Sequence, residues 1–130
     1  MDIENTDVGS WIGKVYGQPE AWDLTLFADL NFLGSLTSPL MNFVGPTVAE
    51  GGGNVGAVNN GAASEAFGAS LTATTAEERC TFLNESADAL IANSDTLPLI
   101  NDAFIYVQRP GFTVQMLGGA LDDPIFRIVG

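Results

Sequence analysis

Val8-Gly9-Ser10-Trp11-Ile12-Gly13-Lys14-Val15-Tyr16-Gly17, followed four residues later by Trp22-Asp23-Leu24-Thr25-Leu26-Phe27-Ala28, is the stretch on which the fold reading turns. In the first run Val8, Trp11, Ile12 and Val15 fall at i, i+3, i+4 and i+7, the spacing that gathers apolar side chains on one face of a helix. Thr6 or Asp7 is available as N-cap, and Gly17 and Pro19 end the helix. The second run is rich in strand formers, with Asp23 and Thr25 on one face, and predicts a mostly buried strand. A helix followed so closely by a strand is half of an α/β unit, in which helices cover the sheet.

Working outward, Asp29 to Pro46 is apolar but broken by Gly34, Ser35, Ser38 and Pro39, and Pro39 suits the first turn of a short helix through Phe43. Glu50-Gly51-Gly52-Gly53-Asn54-Val55-Gly56 predicts a flexible surface loop. It lacks the Lys and Ser/Thr that would make the glycines a phosphate cradle. A helix is expected from Gly61 to Leu71, with Ala63, Ala66, Phe67 and Leu71 inward. Thr75-Ala76-Glu77-Glu78 is a capping box and starts a long helix that Asn93-Ser94-Asp95 stops. Its apolar stripe is Cys80, Leu83, Ala87, Leu90 and Ile91, which places Cys80 inside as a small hydrophobe. Leu97-Pro98-Leu99-Ile100 and Phe104-Ile105-Tyr106-Val107 read as strands, and Arg109-Pro110-Gly111-Phe112 as a turn.

Composition narrows the function classes. The 130 residues, 46% of them hydrophobic, are enough for one domain with its own core. Four Lys and Arg against sixteen Asp and Glu give a formal net charge of -12. Lys14, Arg79, Arg109 and Arg127 are scattered, so nucleic acid, which needs clustered cations, is not an expected partner. With no histidine and one cysteine, neither a Ser-His-Asp nor a Cys-His nucleophile can be built within the chain, and no intramolecular disulfide can form. A zinc site would need carboxylates alone. Asp122-Asp123 and Glu77-Glu78 read as solvated pairs at a turn and a helix start. No catalytic residue, metal or cofactor is assigned. The start is acidic and no apolar run approaches the roughly 20 residues of a membrane span, so neither a signal peptide nor an anchor is read in this stretch.

Three stretches, in order, resemble the C-terminal region of extracellular solute-binding proteins of the oligopeptide/dipeptide/nickel ABC-transporter class. The first is Trp11 to Gly17 with Trp22 to Phe27, similar to that family's "KV..G" helix end and "(F/W)D(L/M)(T/A)L" strand. The second is the glycine-rich loop and the helix containing Glu77-Glu78-Arg79, similar to a "D.EER..L..EA..ll" helix. The third, Thr96 to Phe112, is similar to "(V/L)PL......yvaRpGf". The resemblance covers roughly residues 6 to 115 and implies a fragment of a two-lobed fold, the chain supplying the last stretch of a protein of several hundred residues. It implies further that an aromatic and then an Asp follow the first strand and that the Asp pairs with a peptide's amino group. The corresponding stretch is Phe27-Ala28-Asp29-Leu30-Asn31-Phe32, which lacks the family's proline-containing acidic turn. Asp29 is the candidate for cation capture, Asn31 for a hydrogen bond and Phe32 for stacking. Against these stand a solvated turn for Asp29 and plain core for Phe32 beside Leu33.

The expectation is therefore a single domain, residues 1–130, forming a partial C-terminal lobe of a type II periplasmic-binding-protein-like α/β fold with a helix-covered mixed sheet. Its function would be non-catalytic substrate capture for an ABC importer. Its partners would be a small-molecule or peptide ligand, an ABC permease in the membrane, and a second copy through the exposed lobe face. Its place would be extracytoplasmic, periplasmic or lipid-anchored at the cell surface. The rival reading is a free-standing acidic α/β interaction domain, with dimerisation open. A carboxylate-based hydrolase comes third.

Overall fold

The computed structural model describes residues 2–26, 35–100, 110–117 and 120–128. Helix α1 spans Val8–Gly17, and its N-cap is Asp7, whose carboxylate accepts from the Ser10 amide at 3.1 Å and the Ser10 hydroxyl at 2.7 Å. A 3-10 turn, Pro19–Ala21, follows. A short helix α2, Thr37–Leu40, carries Pro39 as expected, and hydrogen-bonded turns continue it to Val44. After a second 3-10 turn, Val48–Glu50, come α3, Gly61–Thr72, and α4, Ala76–Ala92.

α3 and α4 pack against each other and α2 lies on α4. Their shared core is Leu40, Val44, Ala63, Leu83 and Leu90, with Phe43, Val58, Phe67, Ala87 and Ala89 packed around it. The helices meet at small side chains. Ser86, fully buried, donates its hydroxyl to the Ala63 carbonyl at 2.8 Å, so a polar group crosses the interface at no hydrogen-bonding loss. Asn60 ties the other end: its carbonyl oxygen caps α3 at the Ala63 amide, and its amide donates to the Ala89 carbonyl at 3.0 Å and to Asp95 at 2.7 Å.

The expected inward faces need correction at both helices. Leu71, Cys80 and Ile91 are exposed, and Ser70 and Ser86 take buried positions instead. Close helix approach favours small residues whose hydroxyls bond a backbone carbonyl, and Ser70 does so to Phe67 at 2.6 Å. Hydropathy alone ranks Leu and Cys above Ser and so misassigns the stripe.

The expected helix-covered mixed sheet is not found among the described residues. Residues 22–26 and 97–100 are not strands, and Leu24, Leu26, Leu97, Leu99 and Ile100 are exposed. A strand exists only through a ladder partner, and apolar, β-branched composition does not supply one. Phe27, Ala28 and the Phe104–Val107 strand reading lie outside the described residues. The sheet that is present is an antiparallel pair, β1, Phe112–Leu117, and β2, Ala120–Ile128. Gly118-Gly119 stands between them in sequence. Register runs from Phe112 opposite Ile128 to Leu117 opposite Ala120, with a shift between Val114 and Met116. Pro124, which has no amide hydrogen for a ladder, falls opposite that irregularity, where prolines are tolerated in strands.

Candidate functional site

The segment from Phe27 to Gly34, with Asp29, Asn31 and Phe32, lies outside the described residues, whereas both of its flanks are described. On the N-terminal flank, α1 holds the chain through Trp11, whose indole Nε1 donates to the Thr25 hydroxyl at 2.8 Å. Trp11 also meets Tyr16 edge to face, with ring centroids 6.5 Å apart at 81°. The Trp22 indole N–H is buried with no hydrogen-bond partner among the described residues.

The C-terminal flank, Ser35 and Leu36, borders a hollow of about 580 Å³ against the start of α4, where Thr74, Thr75, Arg79 and Cys80 also line it and buried Leu83 is among its walls. The capping box read from the sequence at Thr75 lies on its rim, but that motif marks a helix start and not a hollow. Arg79 makes no ion pair among the described residues and Cys80 is an exposed free thiol. Around the rim the α4 capping box is closed. Thr75 accepts from the Glu78 amide at 3.1 Å, and the Glu78 carboxylate accepts from the Thr74 hydroxyl at 3.0 Å and from the Thr74 and Thr75 amides. These bonds, the Thr74 hydroxyl first, hold the Glu78 carboxyl below its ordinary value. The arrangement offers a guanidinium, a thiol and apolar walls beside Ser35 and Leu36, which follow closely in sequence on Asp29, Asn31 and Phe32.

The glycine-rich loop is a built turn rather than a flexible one. Thr47 and Glu50 form a second capping box, and the Thr47 amide, then its hydroxyl, hold the Glu50 carboxyl below its ordinary value. Gly51 takes a φ of +83°, and a Cβ on Gly52 would run into the Pro46 backbone. Asn54, 1% exposed, donates to the Gly45 and Val58 carbonyls at 3.2 and 2.9 Å and accepts from the Val58 amide at 3.0 Å. The Thr-x-x-Glu spacing at residues 47–50 is the signal that would have revealed this turn. The described residues hold no group of three His, Cys, Asp or Glu side chains placed for a metal ion, and no helix among them is long and apolar enough to cross a membrane.

No protein-family model and no curated protein matches the chain. Among solved structures it is similar to a substrate binding protein from Microbacterium hydrocarbonoxydans, crystallised in complex with 4-hydroxybenzoate hydrazide. The match has 47% sequence identity and a TM-score of 0.81, and it covers 98% of this chain and 27% of the other. The chain thus spans about a quarter of the length of that protein.

Proposed function

We propose that the chain forms part of an extracytoplasmic solute-binding protein that captures a small ligand for an ABC importer, without catalysis. The observation that carries this reading is the 47% identity over nearly the whole chain to a substrate binding protein. The order of motifs from Trp11 to Phe112 supports the peptide-type class within that function, with the chain supplying C-terminal lobe residues. Capture in such proteins closes two lobes over the ligand, and the membrane permease engages the closed form.

The ligand of the Microbacterium protein suggests what the site would take. A hydrazide ends in an amino group on an acyl nitrogen, and a peptide begins with an amino group next to an amide. Both present a terminal amine donor close to a carbonyl. In this reading Asp29 accepts from the terminal amine, Asn31 pairs with the acyl amide and Phe32 stacks on a ring or side chain. A protonated peptide amine makes a charge-assisted bond to Asp29, whereas an uncharged hydrazide makes an ordinary one.

The test uses a chimera in which this chain replaces the matching quarter of the Microbacterium protein. Calorimetric titration with 4-hydroxybenzoate hydrazide and with a short peptide should show D29N weakening the peptide on the order of tenfold or more, and the hydrazide less. F32A should weaken aromatic ligands most. Unchanged affinities in D29N, N31A and F32A chimeras would remove these residues from the site.

A further inference from the structure

Along α4, Ala76, Arg79, Cys80, Leu83 and Asn84 recur at i, i+3, i+4, i+7 and i+8, the spacing that puts side chains on one side of a helix. All five line the hollow of about 580 Å³ at the start of that helix. Cys80, which the sequence pattern places on the inward stripe, is exposed here because this end of the helix faces open space. Leu36 and Ala73 add apolar wall from other segments, and Leu83 is buried at 3% exposure. A volume of this size falls within the range of small-molecule sites, which combine apolar walls with a few polar groups. The charged group here is Arg79. In a chain with sixteen acids it makes no ion pair among the described residues, whereas Lys14 is taken by Glu4.

We propose that this hollow binds a small organic monocarboxylate, with its apolar body against Leu36 and Leu83 and its carboxylate on the Arg79 guanidinium. The site stands apart from the ligand-capture reading, since it uses none of Asp29, Asn31 and Phe32. An arginine fork takes a carboxylate through two parallel N–H donors, a geometry that lysine does not offer. An uncharged ligand would leave that fork unused. Glu77 and Glu78 at the same helix start, with the net charge of -12, disfavour anions of higher charge such as phosphate. A single negative charge on an apolar body is what the walls and the charge balance together select.

Amide NMR of the full 130-residue chain titrated with benzoate tests the proposal. Saturable shifts are expected at residues 76–84, with a dissociation constant on the order of millimolar. Benzamide, of the same shape without the charge, should bind about tenfold more weakly, a comparison that needs no variant. R79Q should weaken benzoate by about tenfold and R79K by less. Benzoate should also slow alkylation of Cys80 by iodoacetamide, and less so in R79Q. Four results overturn the site: no saturable shift at millimolar benzoate, equal binding of benzoate and benzamide, R79Q binding benzoate like the parent chain, or a Cys80 already shielded from iodoacetamide, which would mean that the chain itself fills the hollow.

Discussion

Asn54 shows how much of the fold depends on single polar groups. It is buried in a loop of glycines and satisfies two carbonyls and one amide. Asn54→Ala strands those backbone groups and should cost about 1–3 kcal/mol in chemical denaturation. Asn54→Asp should cost at least as much, because a carboxylate cannot donate to the Gly45 and Val58 carbonyls. Ser86 makes the same point in a helix: Ser86→Leu forces bulk into the contact with Ala63 and should destabilise by about 1–3 kcal/mol, read from the denaturant midpoint. Neither role is legible in the sequence. Burial of Asn54 depends on the Gly45 carbonyl nine positions away, and burial of Ser86 on a helix 23 positions away, whereas hydropathy sees only the residue itself.

At the scale of elements, what the sequence specifies locally is readable. The α4 start at Thr75, the α3 span and the short helix at Pro39 each rest on contacts three or four residues apart. The same capping spacing at Thr47 and Glu50 is obscured by the glycines after it. Pairing is not readable: residues 22–26 have strand composition but no ladder, and the antiparallel hairpin forms at 112–128, where the sequence pattern suggests a turn and short apolar runs. The caps carry a pH dependence with a definite sign. Glu78, Glu50 and Asp7 all have carboxyls lowered from their ordinary values by hydrogen bonds, those of Glu78 led by the Thr74 hydroxyl. A lowered folded-state value means that the stabilisation is complete above the ordinary values of 4.5 for Glu and 3.8 for Asp, and is lost as pH falls through the folded values. The melting temperature should therefore be flat with pH above about 5 and fall below it. E78Q should flatten that fall and lower the plateau. Thr75→Ala, which removes the N-cap acceptor, should cost about 1 kcal/mol by thermal melting at neutral pH.

At the scale of the whole molecule, the charge of -12 and the lack of histidine mean that this chain's own residues supply neither a cluster of cations for nucleic acid nor an imidazole base. They do not point to a ligand, because a ligand site is assembled from distant segments and the chain spans only 27% of the substrate binding protein it matches. Val8, Ile12, Leu24 and Leu26 are exposed in this chain, as are Leu97, Leu99 and Ile100. Whether this chain completes a ligand-capturing fold, as proposed, is decided by titrating 4-hydroxybenzoate hydrazide in parallel into the isolated chain and into the chimera. Saturable heat is expected from the chimera and none from the chain. A folded chimera that does not bind, or tight binding by the chain alone, would contradict it.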